Sequence, residues 1–326
     1  MKKIFFVSTE NGCNNNCIGC ADNNIDKLKN GRDINDIFDD LEKGFKLGYK
    51  NLHITGGEFT IQDNIFLILR KAVSLYDEVY ITSNGRRFSY LPFAKKMVDI
   101  GITQFNITLC GDKKNHDYWT QVPGSFDETI SGINNLISLN ANVCVNYLLW
   151  KGAFNDIQKV LGLIHDLGVK NLDIFNLVPL GNAKSIYSDI LVPISSLNVL
   201  EKYLKNLSFN NIEIEDFPLC IFSKEFSKLN NVHIFDTSGQ IFYDPNGDVI
   251  NYSVFAAREF GLCLNSNLTV KEGINKVKDK FHNYRIKVDA CNGCLMYDKC
   301  AGVFTDYVKL NDVNNELISL RKSQGY

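Results

Sequence analysis

Hydrophobic positions in the first half of the chain follow two alternating patterns. Short apolar runs at residues 3–8, 51–55, 78–83, 103–109, 142–150 and 171–177 read as strands, because a buried parallel strand carries apolar residues at nearly every position. Between these runs, apolar residues recur near the 3.6-residue period of a helix. Ile34, Phe38, Leu41 and Phe45 mark one helix, which Asp33 can cap and Gly48 ends. Residues 62–76 and 93–100 read the same way. Ile130, Ile133 and Ile137 mark a helix at 127–139, and Ile157, Val160, Leu161, Ile164 and Leu167 one at 154–167.

Strand alternating with helix predicts an α/β fold with an all-parallel sheet. Six strands are too few for the eightfold barrel, so the expected architecture is a partial (β/α)6 TIM-like barrel. Chemistry in such a sheet sits at the carboxyl ends of the strands. After Pro179-Leu180-Gly181 the pattern changes. A helix is expected at 197–207, followed by short strand-like pieces at 211–215, 232–236, 240–243 and 249–252. The expected division is a core domain at 1–185 and a smaller α+β extension at 186–326.

The 326 residues are 45% hydrophobic and 22% charged, which argues for a globular chain over a disordered one. A net charge of -2 supplies no basic field for nucleic acid. The apolar run Ile4–Val7 stops at Ser8, too short for a secretory segment, and no run is long enough to span a membrane. The expected location is the cytoplasm. The ten cysteines change the picture. In a reducing compartment, clustered cysteines read as metal ligands or redox groups.

The strongest motif is Cys13-Asn14-Asn15-Asn16-Cys17-Ile18-Gly19-Cys20, a C-x3-C-x2-C at the carboxyl end of the first strand. Three thiolates this close can wrap a [4Fe–4S] cube, which normally takes four cysteines, leaving one iron free for another ligand. The competing reading is a structural zinc site completed by a distant cysteine or a histidine such as His53. Thr55-Gly56-Gly57-Glu58 ends the second strand. Its glycines allow close approach to the backbone, and Glu58 suits an ammonium.

With these motifs the chain resembles the radical S-adenosylmethionine (SAM) superfamily. The resemblance also rests on Ser83-Asn84-Gly85, Thr108-Leu109-Cys110-Gly111 and Val178-Pro179-Leu180-Gly181, and covers roughly residues 1 to 185. It implies that SAM chelates the free iron by its amine and carboxylate and is split to a 5′-deoxyadenosyl radical. It also implies that Thr55, Gly56, Gly57 and Glu58 hold the methionyl amine. Asn84, Thr108 and Asn146 are the implied contacts to ribose and carboxylate, and Leu177 and Val178 flank the adenine. Two positions depart from the family's habit. Ile18 stands where an aromatic residue is common, and Cys110 replaces the acid of a Ser-Leu-Asp-Gly strand end. Cys110 reads either as a small buried hydrophobe or, from its place at a strand end, as a catalytic thiol.

Cys291-Asn292-Gly293-Cys294 and Cys300 resemble part of the SPASM/twitch extensions that carry auxiliary [4Fe–4S] clusters. Where the full pattern has a further cysteine this chain has Phe304. Cys220, presented by Pro218, is the expected fourth ligand and Cys263 the alternative, with a four-cysteine zinc knot as the competing reading. Weaker candidates are Arg86-Arg87, which could bind an anionic substrate group but more often form a solvated turn pair, and His116, Asp117 and Tyr118 in an expected loop. His53 and Cys144 read as core.

The resemblance implies a radical SAM enzyme that abstracts hydrogen from its substrate. The leading substrate class is a ribosomally made peptide, and the second is a nucleotide or other small molecule. The end Ser323-Gln324-Gly325-Tyr326 lacks the Gly-Gly expected of molybdenum-cofactor enzymes, and with twelve residues before Cys13 no peptide-recognition winged helix is expected there. A non-enzymatic zinc or iron–sulfur protein is the third reading. The implied partners are the substrate and an electron donor such as flavodoxin or ferredoxin.

Overall fold

The computed structural model describes residues 4–9, 12–21, 32–235, 241–243, 249–252, 285–297, 300 and 302–324. Cys263 lies outside them. Eight strands form one parallel sheet: β1 (Ile4–Ser8), β2 (Asn51–Thr55), β3 (Glu78–Ser83), β4 (Gln104–Leu109), β5 (Val143–Leu149), β6 (Asn171–Asn176), β7 (Asn211–Glu215) and β8 (Val232–Phe235). Their spatial order is their sequence order. A doubly wound sheet reverses its order at a switch point. Here the order never reverses, and right-handed crossovers put the connecting helices on one face, which curls the sheet into a partial barrel.

Two strands exceed the sequence-based expectation. Residues 211–215 and 232–235, expected in the extension, pair with β6 and with each other and carry the same sheet past residue 185. The expected helix at 154–167 is two helices, Lys151–Asn155 and Ile157–Asp166. The expected loop after β4 contains the helix Lys113–Thr120.

The sheet's faces differ. Leu52, Ile54, Val79, Ile81, Phe105, Ile107, Val145, Leu172, Ile174, Ile212 and Ile214 are fully buried and join the helices in one core. The other face carries a polar row: Thr108 pairs in register with Asn146, Asn146 with Asp173, and Asp173 with Glu213. This is the lumen of the partial barrel. The remaining described strands are an antiparallel pair Ile241–Tyr243 with Val249–Tyr252, and a short one, Arg285–Ile286 with Val303–Phe304. The C-terminal helix Val313–Gln324 packs against the segment around Cys291. No helix of the described residues is long and apolar enough to cross a membrane.

Candidate functional site

Residues 12–21 leave β1 at its carboxyl end, where the helix Lys113–Thr120 receives them. The Asn16 amide donates to the Thr120 carbonyl at 2.8 Å and the Ile18 amide to the Trp119 carbonyl at 2.9 Å. Gly19 lies against the buried Trp119 indole, where a Cβ would come 2.4 Å from the ring. On the other side, Gly181 (φ +52) backs onto the loop, and a Cβ there would come 2.5 Å from the Ala21 carbonyl oxygen. The Asn182 amide donates to the Cys20 carbonyl at 2.9 Å. The cysteine loop is therefore held from two strand ends besides its own.

Arg86, expected as a substrate ligand or a solvated turn residue, is a third anchor. Its guanidinium donates to the Asn14 carbonyl at 2.6 Å, to Asn15 Oδ1 at 2.9 Å and to Glu128 at 2.5 Å. Arg87 donates to the Thr60 carbonyl and lies 4.3 Å over the Phe93 ring. Neither arginine is a free anion ligand.

The loop brings its thiols together. Burial pushes Cys13 up to about 12, and Glu58 and Cys20 add to it against the Asn15 amide hydrogen bond. Burial also raises Cys17 well above the usual thiol value, with further contributions from Cys110, Cys20 and Cys13. The three thiols are thus within electrostatic reach of one another. Among the described residues, no three cysteine sulfurs lie within 4.8 Å of one another. A single tetrahedral zinc with bonds of about 2.3 Å needs closer sulfurs than that. A four-iron cube holds its thiolates farther apart, so three thiols on one short loop suit a cube with one iron left open. Fixing these thiols as thiolates requires the positive charge of a bound metal.

Glu58 is 1% exposed. Its carboxylate accepts from Thr60 Oγ1 at 2.5 Å, Ser83 Oγ at 2.8 Å and the Asn84 amide at 2.7 Å, tying the end of β2 to the end of β3. Burial raises its pKa, and these donors oppose the shift. Thr55, Gly56 and Gly57 lead into it half-buried, with the Thr55 carbonyl accepting from the Thr9 amide at 2.9 Å. Asn84 Nδ2 donates to Asn14 Oδ1 at 2.6 Å, which joins the third strand end to the cysteine loop. Thr108 is half-buried on the lumen face. Asn146, directly opposite it, is 8% exposed, and its Oδ1 has no partner. That orphaned acceptor fits a bound polar group such as a ribose hydroxyl. Val178 is half-buried and Leu177 buried beyond β6.

Cys110 is 3% exposed and its thiol is raised by burial. Its amide donates to His116 Nδ1 at 3.1 Å and its carbonyl accepts from Trp150 Nε1 at 2.8 Å. His116 is buried, and Asp117 accepts from the Gly124 and Phe126 amides and Ser125 Oγ, so both hold the helix ends together. Of the expected loop trio only Tyr118 is exposed, stacked on Trp150. His53 stacks on Phe6 and shares a 2.7 Å hydrogen bond with Thr82 Oγ1. Cys144 is buried, but on the lumen face and outside the apolar core, because it pairs with Asn106 and Asn171.

The second cysteine group gathers at the end of β7. Burial pushes Cys220 up to about 12, and the Cys300, Cys294 and Cys291 thiols add to the shift. Pro218 leads into the 3₁₀ turn Leu219–Ile221 that presents Cys220. Burial likewise raises Cys291, with Cys300 and Cys294 contributing. Arg321 donates to the Ala290 carbonyl at 2.5 Å and fixes the segment before Cys291. Arg285 pairs with Asp216 at 3.1 Å, both side chains nearly fully buried, and joins the segment to β7. Phe304 is buried with Arg285 stacked 4.0 Å over its ring, so the position that departs from the full cysteine pattern is used for packing.

Sequence reasoning missed Gly19 and Trp119 as a pair, and missed the contacts of Arg86 with the cysteine loop. Their contacts cross about 70 to 100 residues of chain, and neither motif points to them.

The family model described as "Radical SAM superfamily" matches residues 7–176, just over half of the chain. The AdoMet-dependent heme synthase of Methanosarcina barkeri (strain Fusaro / DSM 804) is 24% identical over 210 residues, 63% of this chain and 58% of that protein. The GTP 3',8-cyclase of Sinorhizobium medicae (strain WSM419) is 27% identical over 159 residues, 46% of this chain and 44% of that protein. The chain thus spans about half the length of these curated relatives. Streptococcus suis SuiB, solved bound to precursor peptide SuiA, shares the fold with a TM-score of 0.64 at 14% identity, over 96% of this chain and 74% of that one.

Proposed function

The chain belongs to the radical SAM superfamily, and from that premise we propose that it is an enzyme that modifies a ribosomally made peptide by hydrogen abstraction. Cys13, Cys17 and Cys20 hold a [4Fe–4S] cluster in this reading, and Cys220, Cys291, Cys294 and Cys300 a second, auxiliary one. When bound, the first cluster and SAM supply a 5′-deoxyadenosyl radical. The chain's own residues position and shield. Glu58 and the Gly56-Gly57 backbone receive the methionyl ammonium, Asn84, Thr108 and Asn146 orient the ribose and carboxylate, and Val178 flanks the adenine.

The observation that carries the reading is the gathering of three half-buried thiols on one short loop, braced by Trp119, Arg86 and Gly181. Peptide as substrate draws on the fold shared with SuiB, whose structure holds a precursor peptide. The heme synthase and GTP cyclase relatives favour a small molecule as the second reading. The reducing electron comes from a donor such as flavodoxin or ferredoxin. The test is anaerobic reconstitution with dithionite and SAM, alone and with peptides encoded beside the gene, followed by mass spectrometry. The reading expects 5′-deoxyadenosine from the wild type and a mass change in one peptide. A Cys13/Cys17/Cys20 triple alanine variant that still made 5′-deoxyadenosine would overturn it.

A further inference from the structure

The polar face of the sheet carries three carboxylates that the proposed reaction does not use. Asp173 on β6 and Glu213 and Glu215 on β7 each bring one oxygen within 4.8 Å of the other two. Asp173 pairs in register with Glu213, and Glu215 follows two residues on, so all three project from the same face. Asp173 and Glu215 are buried and Glu213 is half-buried, opening the group to the lumen.

Such a cluster alone is only mutual repulsion. Burial lifts Asp173 well above the usual carboxylate range, and Glu213 adds to the shift, while a hydrogen bond with Glu215 opposes it. Burial, Asp173, Glu213 and Glu215 likewise raise Cys144, which leaves the nearby thiol a poor ligand. A second observation points to a missing ligand. Asn146 Oδ1 and Asp173 Oδ1 are both buried and unpartnered. Asn146 pairs directly with Asp173 across the β5–β6 ladder, so its carbonyl oxygen adjoins the carboxylates on the same face. Asn211 Nδ2 donates to Glu213 at 3.3 Å and the Asp173–Glu215 hydrogen bond holds one proton, so Asn146 Oδ1 and Asp173 Oδ1 are the acceptors left without a donor. A buried acceptor without a donor is costly, and a bound cation removes that cost.

We propose that Asp173, Glu213 and Glu215, with the Asn146 carbonyl oxygen beside them, form a divalent-cation site in the barrel lumen. An oxygen-only set suits hard ions of the Mg2+ or Mn2+ class, and a single ammonium would balance only one of the negative charges. Through Glu213 the ion faces the cavity. Its remaining positions take water or an anionic oxygen of the substrate, a carboxylate or a phosphate. The site is separate from both cysteine groups and stands independently of the peptide assignment; it takes the Asn146 oxygen that the proposed function gives to SAM, so with the ion bound Asn84 and Thr108 alone orient the ribose and carboxylate.

The test is Mn2+ binding to the full-length, cluster-reconstituted and desalted protein, followed by the electron paramagnetic resonance signal of free Mn2+. The wild type should bind one Mn2+ per chain, displaced by excess Mg2+, and should melt at a higher temperature with the ion. Asp173→Asn and Glu213→Gln should each weaken binding by roughly tenfold or more, a loss of about 1.4 kcal/mol, with cluster absorbance unchanged. Should Asp173→Asn fail to fold, the Glu213→Gln and wild-type measurements decide. A wild type that binds no Mn2+, or equal affinity in Glu213→Gln, overturns the proposal. Thermal stabilisation by n-butylammonium chloride in place of Mn2+ overturns it as well, since the site would then be one for an organic cation.

Discussion

Gly19 and Trp119 are packed so closely that a single methyl group on the glycine would come 2.4 Å from the indole. Trp119 in turn lies 4.9 Å from Trp150, whose indole donates to the Cys110 carbonyl. The cysteine loop is therefore shaped against an aromatic wall made by the helix Lys113–Thr120 after β4 and by the residue that follows β5, and its conformation depends on residues a hundred positions away.

Gly19→Ala should disturb cluster assembly without unfolding the barrel. Overpacking of this kind costs about 1–3 kcal/mol, and the loop is the part free to move. Iron content and the absorbance of the reconstituted protein should fall while far-ultraviolet circular dichroism stays at the wild-type level. Normal iron incorporation would show that the loop accommodates the methyl group.

Arg86→Lys should behave almost as badly as Arg86→Ala. The guanidinium reaches Asn14, Asn15 and Glu128 at once, and an ammonium on a flexible stem cannot reproduce that fork. Both variants should lose bound iron to a chelator several times faster than wild type, read by loss of cluster colour. A lysine variant as slow as wild type would make charge, not geometry, the anchor.

The cysteine motif was legible because its ligands are neighbours in sequence, and the β/α alternation because each unit is local. Legibility failed where a unit carries little periodicity of its own. The helix Lys113–Thr120 is almost wholly polar, so the segment reads as a loop. The crossover to β7 holds only short helices, Gly181–Ser185, Tyr187–Ile190 and Val199–Leu204, so β7 looked detached from the sheet. The alternation Asn211-Ile212-Glu213-Ile214-Glu215 is plain in the sequence, but the partner strand that turns its acids toward Asp173 is not.

Glu58→Gln should weaken SAM binding and spare the iron. The amide keeps the shape but loses the charge that, in the proposed function, pairs with the methionyl ammonium, a contact worth on the order of 1.5–3 kcal/mol. Affinity should fall roughly tenfold or more in an anaerobic titration. Some of the loss will come from the Thr60, Ser83 and Asn84 donors, so Ser83→Ala is the control. If Ser83→Ala alone weakens SAM binding as much as Glu58→Gln, the carboxylate acts by bracing the two strand ends.

His116 should make the fold acid-sensitive. Burial pushes its pKa down to about 4, below the ordinary 6.5. The unfolded chain therefore binds the proton more readily, and stability falls as pH drops from about 6.5 toward 4. Between pH 7 and pH 5.5 the loss should be about 1 kcal/mol by that linkage. His53 is pushed down to about 4 by burial as well, so His116→Gln should bring the urea midpoints at the two pH values closer together, and a His53→Gln/His116→Gln double variant closer still. An unchanged pH dependence would place the titrating group elsewhere.

The second cysteine group is tested by counting iron. If Cys220, Cys291, Cys294 and Cys300 hold an auxiliary cube, the reconstituted protein should carry about eight irons and the Cys13/Cys17/Cys20 triple variant about four. Zinc would leave the triple variant colourless. Cys220 is the informative single site. It stands on the turn after β7, whereas its three companions belong to the segment that Arg321 and the Arg285–Asp216 pair fasten to the barrel. Cys220→Ala should therefore remove the cluster's one link to the sheet and lower iron toward four, with the fold intact because Phe217, Ile221 and Phe222 around it remain buried. With the first cluster untouched, SAM cleavage should persist. Loss of peptide product alongside normal 5′-deoxyadenosine would assign the auxiliary cluster to electron transfer from the substrate. Loss of both would make it a structural clasp, and wild-type product from Cys220→Ala would remove it from the reaction.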